Sequence, residues 1–465
     1  YGVLLYGYTK LFTGTGTFEI DAVSTNVGTS RAFAFIDTGF GDSAVGSLDI
    51  VSAATKSPAI KIRGVTAGTY EAIRLYGSNG TNEITIASTA VTGGGVDIYA
   101  QSAVGAGVDM YLYRAGVLSR NGAITVSANV NQMVITGLDY FGSDATSPYV
   151  TTSSANVSLI MDLWSFTNTT TYFRTLGDVT IVPKTNNYFG QDAAFAFDTN
   201  GIRNFTVGKD PLTGDTLRTI ALTGDHTVSG NVKIYGGDVQ PKGHYATTGA
   251  GDLMFKALQD VETDAVARNF TTQGGDITFW ADSNATSGGY VFIAGASKIA
   301  SNGGDITFGG GLDNGSSTAL GARTAGDNRP DGFAVGRSGL IADTGLRIGT
   351  YNTAQNIQIL SGGGDIFMAG QAAPTSTIRT GVTVVSGVVD ASLGKVSIHG
   401  RLDATAGTNY QRGVLFGYGG SDVSILSGNS ASDAILIRGD ASMTTGGWCR
   451  GVEVYETTNP DLLIA

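Results

Sequence analysis

The sequence holds a single cysteine, Cys449, in 465 residues, so no internal disulfide can brace it. Charge is scarce too: Asp, Glu, Lys and Arg make up 14%, against roughly a quarter in ordinary globular chains. The balance is acidic, with a net charge of -11, and no basic stripe is present to meet phosphates. Nucleic acid and anionic membrane are therefore not expected partners. No run of 18 apolar residues is present that could span a bilayer as a helix. Helical periodicity is nearly missing as well. Its best candidate, "KALQDVETDAVAR" at 256–268, sits between glycine phrases and reads as strand and loop. His226, His244 and His399 are scattered, none at a metal-ligand spacing, and read as solvated or turn residues. No G-x-S-x-G surrounds any serine and no G-x-x-x-x-G-K-[ST] loop occurs, which leaves nucleophilic catalysis and phosphate binding without a motif.

Glycine is what the chain has in quantity: 69 residues, about twice the usual share. Much of it is organised. "GGDITF" occurs at 274–279 and again at 303–308. Relaxed to glycine, a small or acidic residue, then apolar-any-apolar, the phrase recurs at Gly122, Gly177, Gly230, Gly251, Gly364 and Gly394, and with serine at Ser421. From Gly122 onward, taking Gly275 and Gly304 for the pair, the steps are 55, 53, 21, 24, 29, 60, 30 and 27, or one to two units of 21–30 residues. Phe205-Thr206-Val207 and Phe333-Ala334-Val335 are candidate fillers of two long steps.

A fixed period of this length marks stacked structural units. Within each phrase the alternation is that of a strand, with Ile277 and Phe279 on one face and Thr278 on the other. The predicted core column is Ile277, Phe279, Ile306, Phe308, Ile366, Val396, Ile398, Val423 and Ile425, with Thr278 and Thr307 outside. Leu346, Ile357 and Ile366 lie 11 and 9 residues apart, which suits three short strands per repeat. The expected fold is an all-β, right-handed parallel β-helix (β-solenoid) of about 21–30 residues per coil. At about 28 residues per coil, the ~4.8 Å strand spacing gives on the order of 16 coils and a rod of roughly 80 Å. One continuous solenoid is expected over 1–465. Residues 1–120 are expected to form less regular coils, 137–175 protruding loops, and 230–440 the most regular coils.

Asp178, Asp252, Asp276, Asp305, Asp365 and Asp422 each stand just before a phrase strand. A carboxylate at a recurring position points to a structural turn acid that accepts backbone N–H groups. Catalysis by paired carboxylates would call for clustered acids at unequal spacing. No cofactor is expected. Cation binding between stacked acids is the one metal reading, and "GFGDSAVGSLDI" at 39–50 matches a calcium repeat only loosely. Tyr111, Tyr113, Tyr140 and Phe141 are the candidate surface contacts, able to stack on sugar rings or pack laterally.

The repeat region "GGDITFWADSNATSGGYVFIAGASKIASNGGDITFGGG" at 274–311, with "GDLMFKA" before it and "LRIGTYNTAQNIQILSGGGDIFMAGQ" after it, resembles the large bacterial filamentous-haemagglutinin-type surface exoproteins. The similarity is clearest over 230–440. The resemblance implies a secreted, extracellular β-helical stalk at the bacterial cell surface, an adhesin or filament segment with no catalytic residues to carry over. Expected partners are further solenoid of the same polypeptide or identical chains end to end, and cell-surface glycans. The chain lacks an initiator methionine and ends in an apolar "DLLIA", and so is expected to be a segment of something larger. The alternative reading is a β-helical polysaccharide-binding or depolymerising protein of the tailspike type.

Overall fold

The computed structural model describes residues 1–36, 47–77, 84–103, 105, 107–129, 131–136, 139–167, 171–185, 193–197, 201–211, 218–286, 288–315, 324–337, 343–351, 353, 355–373, 379–402, 411–418, 422–441, 448–455 and 462–465. Among them every regular element is a β-strand, and the paired strands run parallel. The segment 256–268 contributes strand ends and turns. Contacts divide the chain into two compact units, where one continuous body was expected. The first comprises Tyr1–Lys209 with Ala221–Ser229, the second Asp210–Ile220 with Gly230–Ala465.

In the first unit the chain visits three ladders in strict rotation as far as Val179–Val182; the next strand among the described residues, Ala193–Phe197, pairs with Thr171–Phe173. One runs Val3–Tyr6, Phe33–Ile36, Ile73–Tyr76, Val108–Tyr113, Gln132–Thr136, Leu163–Thr167. The next runs Tyr8–Phe12, Ser47–Ser52, Ile84–Ser88, Ala115–Ser119, Asp139–Gly142, Thr171–Phe173. The last runs Phe18–Ser24, Ile60–Thr66, Val96–Gln101, Ile124–Ala128, Val157–Ile160, Val179–Val182, Phe205–Val207. Its register stacks Phe18, Ile60, Val96, Ile124, Val157, Val179 and Phe205. Residues 1–120 thus share the pairing of the rest, contrary to the expectation of irregularity. Phe18 to Ile60 is 42 residues, Ile60 to Val96 is 36, and Val96 to Ile124 is 28. Variable connections hide the period while the strands keep their register.

The second unit keeps three ladders. The phrase strands Val232–Gly236, Leu253–Ala257, Ile277–Ala281, Ile306–Gly310, Ile366–Gln371, Val396–Arg401 and Ile435–Asp440 form one. Val239–Thr247 starts the other two, pairing through Val239 with Val261 and through Tyr245 with Phe270. Leu346, Ile357 and Ile366 fall on three different ladders, as their spacing suggested. Leu253, Ile277, Ile306, Ile366 and Val396 stack in register, and so do Phe255, Phe279, Phe308, Met368 and Ile398. Ring centroids of Phe255, Phe279 and Phe308 follow at 5.1 Å steps. These ten side chains are buried.

Four expectations need correction. Val423 and Ile425 are buried but belong elsewhere: their strand, Val423–Leu426, pairs with Gly387–Asp390, and Val396–Arg401 is followed instead by Ile435–Asp440. Phe205–Val207 occupies a full rung, whereas Ala334–Val335 pairs in parallel only with the end of Ile366–Gln371, at Gly370 and Gln371, and does not separate the rungs, because Ile306–Phe308 pairs directly with Ile366–Met368. Thr278 and Thr307 are only 3% and 2% exposed. The stretch 324–335 folds back over this face, with Phe333 packed on Phe367 and Ala369 and with Arg329 joined to Asp276 and Asp305; 316–323 lie outside the described residues. In the 137–175 region, of which 137–138 and 168–170 lie outside the described residues, the stretch 143–156 likewise folds back instead of projecting. Val150 there is fully buried against Val51, Ala87 and Leu118, and Tyr149 donates to Asp49 at 2.9 Å.

The glycine of the phrase has a steric cause. A Cβ built on Gly304 would overlap the carbonyl oxygen of Gly275 one rung back, and the same holds for Gly275 on Gly251, Gly364 on Gly304 and Gly394 on Gly364. These glycines form a column in which backbone touches backbone. Gly304→Ala should therefore cost about 1–3 kcal/mol through overpacking, whereas Gly326→Ala, with open space around it, should act only through its left-handed backbone and cost less. Thermal melting of the two variants checks the column, and a Gly304→Ala protein that melts with the parent would sink it.

Candidate functional site

The acids that precede the phrase strands form a chain of hydrogen bonds from rung to rung. Asp252 Oδ1 accepts the Asp276 N–H (2.9 Å), Asp276 Oδ1 that of Asp305 (2.8 Å), Asp305 Oδ1 that of Asp365 (2.7 Å) and Asp365 Oδ1 that of Lys395 (2.8 Å). Each acid thus serves the next rung's backbone rather than its own turn. The first unit does the same with Asn156, whose Oδ1 accepts the Asp178 N–H at 2.9 Å, and in the second unit Asn231 does so for Asp252 at 2.8 Å. Asp178 is further held by Arg203 and Asn204. The Arg203 hydrogen bonds, working against partial burial, keep its carboxyl below the usual range. Asp422 is not in this chain, for it precedes the strand Val423–Leu426 on another ladder, where its carbonyl accepts the Gly387 N–H at 2.9 Å.

A second acid chain escaped the sequence reading. Asp238 Oδ1 accepts the Asp260 N–H (3.2 Å) and Asp260 Oδ1 the Tyr290 N–H (3.0 Å), with Arg337 on the other Asp260 oxygen at 2.8 Å. Burial lifts the Asp260 carboxyl to about 6 against the pull of the Tyr290 amide and Arg337. Its signal was the same acid-before-apolar pattern, at Gly237-Asp238-Val239, where Pro241 breaks the apolar-any-apolar phrase, and at Gln259-Asp260-Val261, where the glycine is missing. Hydroxyls complete the corners. Thr272, Ser301 and Ser361, all fully buried, donate to Gly275, Gly304 and Gly364 carbonyls three residues on, and Thr272 and Ser301 also reach the Ser301 and Ser361 carbonyls one rung ahead.

The aromatic candidates divide. Tyr111 and Tyr113 lie half-buried on an outer face, in register with Arg74 and Tyr76. The Tyr76 and Tyr113 rings stack at 4.8 Å and 15°, and the Arg74 guanidinium sits 5.1 Å from Tyr76 and 5.0 Å from Tyr111. Arg74 and Arg31 both reach the buried Glu71, at 2.6 and 3.3 Å. Burial opposes ionisation of Glu71, but hydrogen bonds and the two guanidinium groups outweigh it and hold the carboxyl below its usual range. Since neighbouring rings occupy each other's faces, this patch offers edges and hydroxyls to a partner more than open ring faces. Phe141 is fully buried, stacked on Phe173 at 5.5 Å, and Tyr140 is 8% exposed, stacked on Tyr172 at 5.1 Å beside Arg174. Neither is the open surface residue expected, because Phe141 points into the core and 143–156 covers Tyr140.

Asp109 also departs from simple alternation. Two residues oppose one partner between Val108 and Met110, and this bulge turns Asp109 inward. Fully buried, it accepts from Ser102, Asn129 and Asn131. Among the described residues no group of three His, Cys, Asp or Glu could hold a metal, and residues 39–46 of the loose calcium match lie outside them.

No family model matches the chain, and no curated protein or solved structure matches it.

The histidines are not all solvated. His244 accepts the Asn269 N–H at 3.0 Å, and His399 is 3% exposed, 2.9 Å from Asp440. His226 is fully buried, 5.6 Å from the Phe205 ring centroid, and burial depresses its pKa from 6.5 to about 3. The unfolded chain binds this proton first, so its contribution to stability is complete above about pH 6.5 and is lost toward pH 3, at about 1.4 kcal/mol per pH unit. His226→Phe should flatten the fall of the melting temperature between pH 6 and pH 3; an unchanged acid slope would refute the assignment.

Proposed function

We propose that the chain is a right-handed parallel β-helix of three short strands per coil, serving as a non-enzymatic structural and adhesive stalk segment of a large extracellular bacterial surface protein of the filamentous-haemagglutinin type. Rotation through three parallel ladders supports the coil reading, and the hand follows from the near-universal right-handed crossover between parallel strands. The observation that carries the functional reading is the interchange of Asp and Asn in the acid chain. Asn156 and Asn231 do for the next rung what Asp252, Asp276, Asp305 and Asp365 do. What the position requires is an acceptor oxygen aimed along the stack, and neither a proton nor a negative charge is needed. An acid–base pair for glycoside cleavage needs both. The acids are spent on rung-to-rung bonding, which is what a load-carrying scaffold requires.

Asp365→Asn should leave stability nearly unchanged, while Asp365→Leu, which strands the Lys395 N–H, should cost about 1 kcal/mol or somewhat more. Chemical denaturation measures both. Assay of the parent and of Asp252→Asn, Asp276→Asn, Asp305→Asn and Asp365→Asn against bacterial and host polysaccharides tests the other half. Chain cleavage by the parent that disappears in any one of them would overturn the stalk reading.

A further inference from the structure

We propose that a half-open pocket in the second unit, bordered by 311–314 and 332–335, binds a neutral sugar residue of a polysaccharide. The cavity measures about 270 Å³ and is lined by Asp282, Leu312, Asn314, Phe333, Gln371 and Arg401 among others. Its polar groups converge from separate places: the turn after Ile277–Ala281, the stretch 311–314, and the ends of the paired strands Ile366–Gln371 and Val396–Arg401.

The set comprises one carboxylate, which only accepts hydrogen bonds, one guanidinium, which only donates, and two amides, which do both. Its formal charge sums to zero. A phosphate or carboxylate ligand would meet Asp282 along with Arg401, and a cation would meet Arg401 along with Asp282. Adjacent hydroxyls, each donor and acceptor at once, suit such a wall, and the exposed Leu312 supplies the apolar contact that the C–H face of a sugar ring needs.

The walls are fixed before any ligand arrives. Arg401 Nε donates to Gln371 Oε1 at 2.7 Å, and its guanidinium lies 4.2 Å from the Phe333 ring centroid. Asp331 Oδ2 accepts the Asn314 and Gly315 N–H groups, each at 2.6 Å, pinning the rim. Asp282 and Ala285 both adopt left-handed backbone, φ 47° and 55°, although neither is glycine. Their turn is tied by Asp282 N–H to Gln259 O (2.9 Å) and by Ala285 and Gly311 N–H to Asp282 O (2.9 and 3.1 Å). Unfavourable backbone held in place this way is characteristic of binding sites. This site deepens the adhesive half of the stalk reading but is tested apart from it, since the stability test at Asp365 and the cleavage assay do not read sugar binding at Asp282 and Leu312.

The experiment uses the full chain. Immobilised neutral, uronic and sulfated polysaccharides are screened, and hits are titrated as mono- and disaccharides by calorimetry. Saturable binding of a neutral sugar is expected. Leu312→Trp, at a rim position 41% exposed, should abolish binding without lowering the melting temperature. Asp282→Asn should weaken it at least about tenfold, whereas Tyr111→Ala, on the tyrosine patch of the first unit, should leave it unchanged. Crystals of the unaltered chain soaked in the bound sugar decide the matter if a variant fails to fold: density in the cavity supports the site, density elsewhere overturns it. No neutral ligand on the panel, binding of sulfated or uronic chains alone, or neutral binding that survives Leu312→Trp would each overturn it.

Discussion

Parallel strands stacked in register at about 4.8 Å place equivalent atoms of successive rungs directly above one another, and every other feature of this chain answers to that constraint. At the corner before each phrase strand the backbones meet so closely that only glycine fits. One residue later the same closeness lets a short carboxylate or amide reach the next rung's N–H. On the inner side, a buried Ser or Thr reaches the carbonyls on either side of the gap. Sterics, an outer acceptor and an inner donor thus combine in four or five residues, as in Thr272-Gln273-Gly274-Gly275-Asp276. Lost hydrogen bonds at a buried corner would be costly, which is why the corner recurs with so little change.

Between corners the side chains separate by burial pattern. Ile60–Thr66 and Val239–Thr247 alternate buried and half-exposed residues, the mark of a face open to solvent. Ile277–Ala281, Ile306–Gly310 and Ile366–Gln371 are buried at every position. Outward Trp280 and Phe367 are the apolar residues that such covering demands. The connecting stretches 143–156 and 324–335 are therefore part of the packing, each laid over an outer apolar patch. At 311–314 and 332–335 the covering also creates a concave space lined by polar groups, which a bare ladder of flat faces does not provide.

This division of labour separates scaffold from recognition. Acids interchangeable with Asn and rings stacked on rings are fully engaged with their own neighbours. At the pocket, by contrast, polar groups from separate segments face one half-open volume. The proposed sugar site thus sits where the repeat is interrupted.

The sequence by itself determined the strand class, the parallel stacking of like phrases, the core column from Ile277 to Ile398 and the structural use of Asp252, Asp276, Asp305 and Asp365. These follow from local alternation and from a corner whose demands are met within a few adjacent residues. Tertiary structure alone decided which ladder a given apolar triplet joins, and so removed Val423, Ile425 and Asp422 from the phrase column. It also decided which faces are covered, burying Thr278, Thr307, Tyr140 and Asp109 against the simple alternation rule, and it assembled the cavity around Asp282 and Arg401. The reason is physical: a connection of variable length carries no period, and where it lies is set by the outer surface it covers, a contact between residues far apart in the chain.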